Sequence, residues 1–355
     1  MTGTASPRHA SIPIFVPHLG CPRQCSFCDQ RAISGAARMP SPVEAAERCR
    51  EGFASLPARY PVAEIAFFGG SFTAIPRGEM TALLEAVQPF RREPAFGGIR
   101  ISTRPDAIDR EVLALLRGYG VRAIELGAQS LYNSVLEANG RGHTAEQVAE
   151  AAKLIREEGF SLGLQMMTGL YQSTPELDWG TGLGLAAMEP DTLRIYPTVV
   201  LPGTGLAARM AAGAYRPPGL EETVALCARL LRLFEERGIR VIRLGLHAQE
   251  GLAERALGGC FHPALGELCR SRLLLLRMTE ALQGQTAETA PVVLVKPRLL
   301  SQAVGQRQQN LLALRREWPG LSIRPAEEIE EDFLILYQRK EENGEKEVRY
   351  AAEGD

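Results

Sequence analysis

The sequence predicts an α/β protein: a full or partial (β/α) TIM-type barrel followed by a small C-terminal α+β module. Three observations carry this. Short β-branched or apolar runs alternate with longer helical stretches up to about residue 250, the pattern of right-handed βαβ units on a parallel sheet. About six or seven units are present, which suits a barrel better than a two-layer sandwich. After Gly251 the alternation fades, and from Pro291 a compact basic β-α-α-β pattern replaces it.

In order, strands are expected at Ile12–Val16, Glu64–Phe68, Ile99–Thr103, Ala123–Gly127, Ser161–Met166, Leu193–Val199 and Arg240–Leu244. Helices are expected at Val43–Leu56, Arg77–Phe90, Asp106–Tyr119, Ala145–Glu158 and Glu221–Arg237. In such a fold, function gathers at the C-terminal ends of the strands. The unusual segments His18–Asp29, Gly69–Thr73, Arg104–Asp106 and Gln129 each follow a strand. The expected division is a barrel over 1–250, a connecting helical segment over 251–290, the basic module over 291–340 and a charged, frayed tail over 341–355.

A formal net charge of -2 gives no overall basic excess, so a nucleic-acid partner would need a local patch. The first residues lack the apolar core of a signal peptide, and no apolar run is long enough to span a bilayer. A cytoplasmic enzyme without a membrane partner is expected. Seven cysteines, an odd number without a secretion signal, argue against a disulfide framework.

Three of those cysteines crowd into eight residues, as Cys21-Pro-Arg-Gln-Cys25-Ser-Phe-Cys28, directly after the first strand. Three thiolates at this spacing reach three corners of a [4Fe–4S] cubane and leave one iron without a protein ligand. An adjacent amine and carboxylate, such as the methionine end of S-adenosylmethionine, can chelate that iron. Reductive cleavage of the sulfonium then gives a 5′-deoxyadenosyl radical. The alternatives are a zinc site completed by His18 or Asp29, which lacks a second Cys-x2-Cys pair, and three unligated thiols. Phe27 either shields the cluster and adenine or simply packs.

The cysteine motif resembles that of the radical S-adenosylmethionine superfamily, and later motifs agree over most of the first 250 residues. Gly69-Gly70-Ser71-Phe72-Thr73 resembles the family's glycine motif, whose carbonyls take the methionine ammonium and where a Cβ would block close approach. Ile101-Ser102-Thr103-Arg104-Pro105-Asp106 resembles a third-strand motif near ribose and substrate. Glu125–Ser130 and Asn139–Thr144 are similar to segments of the Elongator catalytic subunit and of oxygen-independent coproporphyrinogen III oxidases. That resemblance implies S-adenosylmethionine contacts for Gln129 and Arg141. An amide suits ribose hydroxyls, and a guanidinium suits a carboxylate. Taken alone, Gln129 would be a satisfied strand-end amide and Arg141 a solvated cation. Arg194–Thr198, Val199–Thr204 and Leu206 also look like the Elongator subunit. Together the implied cofactor contacts are Phe27, Gly69, Gly70, Ser71, Thr103, Gln129 and Arg141. The electron donor implied is a flavodoxin or ferredoxin.

Three departures limit the resemblance. The Elongator subunit has a longer gap between its first two cluster cysteines. Ser102 stands where relatives carry an acidic residue, so a ribose carboxylate is absent or comes from Glu125. The chain is also expected to lack the acetyltransferase domain, of about 150 residues, so acetyl-coenzyme A chemistry is not implied.

The segment Val292–Ile323 resembles a minimal KH-type RNA-binding unit, but Gln308 replaces the second glycine of its Gly-x-x-Gly loop. Over Pro291–Pro325 one Lys and five Arg stand against one Glu, a local charge of +5. Lys296, Arg298, Arg307, Arg315 and Arg316 are the candidate phosphate contacts. A structural cap with a solvated cationic face is the alternative. His247, His262, Cys260 and Cys269 make a poor metal signature. Tyr196 is a candidate hydrogen or electron donor, or else a packed wall. The expected function is radical modification of an RNA, most plausibly a tRNA base. The alternatives are the same chemistry on a tetrapyrrole or metabolite, and a non-catalytic RNA- or S-adenosylmethionine-binding protein with a structural cluster.

Overall fold

The computed structural model describes residues 9–16, 21, 24–29, 38–246, 251–283, 290–340 and 346–352. They form two compact units, one of residues 1–219 and 233–261, the other of residues 220–232 and 262–355.

The first unit is built on seven parallel strands: β1 (His9–Val16), β2 (Val62–Gly69), β3 (Phe96–Thr103), β4 (Val121–Gln129), β5 (Ser161–Thr168), β6 (Thr192–Pro197) and β8 (Arg240–Leu244). They pair in that order, with β1 and β8 as edges. The barrel is therefore partial, a sheet curled into a half-barrel. Four of the crossover helices start where the sequence supplies a side-chain cap. Ser41 and Glu44 form a capping box on α1 (Pro42–Ala54), and Thr144 and Gln147 another on α5 (Ala145–Glu157). Helix α2 spans Arg77–Ala86, and the Asp109 carboxylate accepts from Val112 N–H at 2.7 Å to open α3 (Arg110–Gly118). Thr174 caps α6 (Pro175–Ala187).

Alternation along the strands separates two faces. Ile65, Phe67, Ile99, Ile101, Ile124, Leu126, Leu162, Leu164, Leu193 and Ile195 are all buried and form the helix-facing core. Their neighbours Glu64, Arg100, Glu125, Gln165, Arg194 and Arg243 share the inner face, as their mutual contacts show.

Helix α6 has no counterpart in the sequence expectation, and of the boundaries that differ from it three lie at prolines. The helix expected through Phe90 ends at Ala86, and a 3-10 turn over Gln88–Arg92 follows, because Pro89 cannot continue the hydrogen-bond ladder. The helix expected from Asp106 begins at Arg110, after a 3-10 turn at Pro105–Ala107. The strand expected to reach Val199 breaks after Pro197, which also lacks an N–H. The short β7 (Val199–Val200) instead pairs antiparallel with β9 (Gly258–Gly259).

The second unit carries helix α10 (Leu265–Leu282) and a four-stranded sheet of order β11 (Ser322–Pro325), β10 (Val292–Val295), β12 (Phe333–Lys340), β13 (Lys346–Ala352). Helices α11 (Leu300–Val304) and α12 (Gln309–Glu317) connect β10 to its parallel neighbour β11. Val293, Val295, Ala303, Leu314, Leu321, Phe333 and Ile335 pack with Leu274, Met278 and Leu282 into one core. Buried Asn310 fixes the α11–α12 turn, donating to Ser271 O at 3.1 Å and Gln302 O at 2.9 Å. The tail expected to fray contributes β13, paired antiparallel with β12. Its run Glu347-Val348-Arg349-Tyr350 alternates charged and apolar residues, a strand period that its charge content obscured. Among the described residues no helix is long and apolar enough to cross a membrane.

Candidate active site

Cys25–Cys28 is a tight turn closed by a 3.0 Å bond from Cys28 N–H to Cys25 O. Two distant segments hold it. Ser26 N–H donates to Asn139 O at 3.0 Å, and Ser26 Oγ donates to Asn139 Oδ1 at 2.7 Å. Leu206 N–H donates to Ser26 O at 2.8 Å, from the start of helix α7 (Gly205–Ala211). Gly205 permits this approach, since a Cβ there would lie 3.2 Å from Ser26 Cα. Phe27 packs with the Val200, Leu206 and Tyr215 cluster.

Burial raises the Cys28 thiol to about 12, with the neighbouring Cys25 and Cys21 adding to the effect. Burial and Cys25 also raise Cys21, opposed by Arg104 and Arg141. The Cys21 and Cys28 thiols are thus held in their neutral form until a cation joins them. Among the described residues no three His, Cys, Asp or Glu side chains are gathered tightly enough for a single metal ion. His18, the suggested zinc ligand, lies outside the described residues.

The neighbouring strand ends are tied into one rim. Gly69 adopts φ +111°, and a Cβ there would sit 3.1 Å from Val16 O. Gly70 N–H donates to that same Val16 O at 2.6 Å. Buried Ser71 bonds Thr103 through their hydroxyls at 2.9 Å and accepts from Arg104 N–H at 3.1 Å. Thr73 reaches Thr103 Oγ1 at 2.6 Å. The Ser71 and Thr103 hydroxyls therefore join the β2 and β3 loops.

At the end of β4 the register shifts between Gly127 and Gln129, and Gln129 takes φ +67°. Arg141 is buried against this bulge. Its Nη2 donates to Gly127 O at 2.6 Å and its Nη1 lies 3.4 Å from Cys25 Sγ. Arg104 makes two 2.9 Å bonds to Asp106. His143 sits 3.2 Å from Ala128 O, and burial, helped by Arg141, lowers its pKa to about 4. Buried groups left without a partner concentrate here: Ser102 Oγ, Arg104 Nη1, Gln129 Oε1, Arg141 Nε and His143 Nδ1. Unmet buried groups cost about 1–3 kcal/mol each, and such a concentration marks a place that a polar ligand completes.

The comparisons with known proteins agree. The radical SAM superfamily model matches residues 15–177, and the radical SAM C-terminal domain model matches residues 190–274. The chain belongs to the radical SAM superfamily. It is 37% identical over 139 residues to Elongator complex protein 3 of Danio rerio, covering 38% of this chain and 25% of that protein. It is 32% identical over 129 residues to a tRNA uridine(34) acetyltransferase of Methanocaldococcus jannaschii, covering 36% and 24%. Each match thus spans about a quarter of the curated relative. The archaeal Methanocaldococcus infernus Elp3 structure superposes with a TM-score of 0.61 at 20% identity, over 75% of this chain and 62% of that one, and shows the shared fold. As a radical SAM enzyme the protein uses a [4Fe–4S] cluster and S-adenosylmethionine.

Two features of this radical SAM site were not legible in the sequence. Arg104 and His143 stood inside quoted motifs, but only the fold shows them buried with unmet polar atoms. The second concerns Glu125, considered as a source of the missing ribose carboxylate. It is 1% exposed and fully engaged, accepting from Arg194 Nε at 2.7 Å, Arg194 Nη2 at 2.9 Å and Gln165 Nε2 at 2.8 Å. It is therefore structural. Tyr196 shares its face beside Arg194, and burial raises its phenol pKa, so it stays protonated.

The basic module divides its candidate cations. Lys296 Nζ donates to Glu330 O at 2.5 Å and Arg298 pairs with Asp332 at 3.0 Å. Arg307, Arg315 and Arg316 are exposed, although Arg315 Nε donates to Leu321 O at 2.7 Å. Arg307 and Gln308 take positive φ values of 49° and 62°, so the turn forms without the second glycine. His262 Nδ1 accepts from Ala264 N–H at 3.1 Å. His247 lies outside the described residues.

Proposed function

We propose that this enzyme modifies an RNA in the cytoplasm, most plausibly a tRNA base, at a carbon too inert for polar chemistry. One observation carries the site: buried polar groups without partners gather at the strand ends, and one of their side chains, Arg141, places its Nη1 3.4 Å from Cys25 Sγ in the cysteine turn. Cys21, Cys25 and Cys28 would hold three irons. The backbone of Gly69 and Gly70, with Gln129 and Arg141, would hold S-adenosylmethionine, Arg141 through its free Nε and Gln129 through its free Oε1. When bound, these groups supply reductive cleavage to a 5′-deoxyadenosyl radical.

Support for RNA comes from the exposed cations Arg307, Arg315 and Arg316, and from the tRNA named for the Methanocaldococcus jannaschii relative. Acetyl transfer is not carried over, because the match covers about a quarter of that protein. A flavodoxin or ferredoxin would donate the electron.

Anaerobic reconstitution, dithionite reduction and measurement of 5′-deoxyadenosine test the reading. The Cys21→Ala, Cys25→Ala, Cys28→Ala variant should give none. Bulk tRNA should raise turnover and bind with steep salt dependence, weakened by Arg307→Ala with Arg315→Ala. Turnover indifferent to tRNA, with a small molecule raising it instead, would replace RNA with a metabolite substrate.

A further inference from the structure

One layer below the strand ends, the inner face carries a belt of charge running from β2 to β8. Glu64 is taken by Arg100 at 2.9 and 3.0 Å. Glu125 is taken by Arg194 at 2.7 and 2.9 Å, with Arg100 at 3.4 Å. Three guanidiniums thus stand against two carboxylates, and the surplus falls on Arg243. Its strand, β8, is an edge of the open sheet, paired to β6 with Arg243 opposite Arg194. Arg243 Nε donates to Gly245 O at 3.1 Å, and among the described residues no carboxylate pairs with its guanidinium. Burial pushes its pKa below the ordinary arginine value, and Arg194 adds to that effect.

Tyr196 lies on the same face of β6, two residues beyond Arg194. By register it stands beside Arg194, whose partner across to β8 is Arg243. Burial keeps the phenol protonated, so it has an O–H to give to an acceptor. Tyr196 and Arg243 are both only partly buried, so a ligand can reach them. One phenol O–H and one unpaired guanidinium at the open edge match an oxyanion.

We propose that Arg243 and Tyr196 form a substrate subsite for an oxyanion, the phosphate of a nucleotide. The nucleotide assignment rests on the RNA reading; the oxyanion site does not. A phosphate anchored there would fix one end of the substrate below the strand ends, where the unmet polar groups gather. Arg194 is held by Glu125, so Arg243 supplies the free charge.

The test uses the full-length reconstituted protein and calorimetric titration with uridine 5′-monophosphate, uridine and succinate. The monophosphate should bind more tightly than uridine. Arg243→Gln should weaken the monophosphate about tenfold or more, the worth of one charge-assisted hydrogen bond, and leave uridine unchanged. Arg243→Lys should recover part of the loss, and Tyr196→Phe should give a smaller one. Circular dichroism melting confirms that each variant is folded, and Arg243→Lys with Tyr196→Phe keeps the test open if Arg243→Gln is not. Binding of both anions indifferent to Arg243 would overturn the subsite. Succinate binding that depends on Arg243, with the monophosphate indifferent, would support an oxyanion site and overturn its nucleotide assignment. Binding of the monophosphate through Arg243 without any tRNA binding would support the subsite while the RNA reading fails.

Discussion

Replacing Glu125 with Gln should be among the most damaging single changes outside the cysteine loop. The side chain is 1% exposed and sits between two guanidiniums. Glutamine keeps the size but removes the charge, and its amide turns an N–H toward a donor. Arg194 then loses its only carboxylate among the described residues, while Arg100 keeps Glu64. Breaking a buried pair by removing one partner costs about 3–5 kcal/mol. At about 2–4 °C per kcal/mol for a domain of this size, the melting temperature should fall by about 6–20 °C. Differential scanning calorimetry at pH 7 measures this. The double change Glu125→Leu with Arg194→Met removes both charges and should recover much of the loss. A fall of less than about 1 kcal/mol for Glu125→Gln would refute the reasoning, because it would mean that water already screens the inner belt.

Three further outcomes are expected. Arg141→Gln should lower S-adenosylmethionine affinity about tenfold or more in equilibrium dialysis of the reconstituted protein, through loss of the free Nε of a guanidinium whose Nη1 lies 3.4 Å from Cys25 Sγ. Gly205→Ala should reduce iron retained per chain, because its Cβ would press on Ser26 Cα, which is backbone and yields little. Buried Asp178 accepts from Gly169 N–H at 2.7 Å and bonds Ser173 Oγ at 2.5 Å, and burial raises its pKa to about 6. Its stabilisation is therefore full below the unfolded value near 4 and is lost as pH rises through about 6, on the order of 3 kcal/mol in all. Asp178→Asn, which mimics the protonated form, should gain on the wild type in melting temperature between pH 4 and 7; a constant difference would refute the assignment.

Much of this protein is local information. The Cys-x3-Cys-x2-Cys spacing, the glycines after β2 and the caps at Ser41, Asp109, Thr144 and Thr174 depend on near neighbours, so the sequence shows them directly. Strand and helix periods likewise revealed the βαβ order. The breaks at Pro89 and Pro197 were present in the sequence as well, but apolar runs on either side masked them.

What only the tertiary structure decided depends on strand register and closure. Whether the barrel closes turns on pairing between its first and last strands, which no local pattern encodes. Glu125, Arg100, Gln165, Arg194 and Arg243 come from five strands, and a one-residue slip in any of them would turn its side chain to the other face. Their ion pairs, the surplus charge on Arg243 and the unmet atoms of Arg104 and His143 exist only once that register is set. The cofactor chemistry is thus written in residue spacing, whereas the substrate's surroundings are written in contacts between residues far apart in the chain.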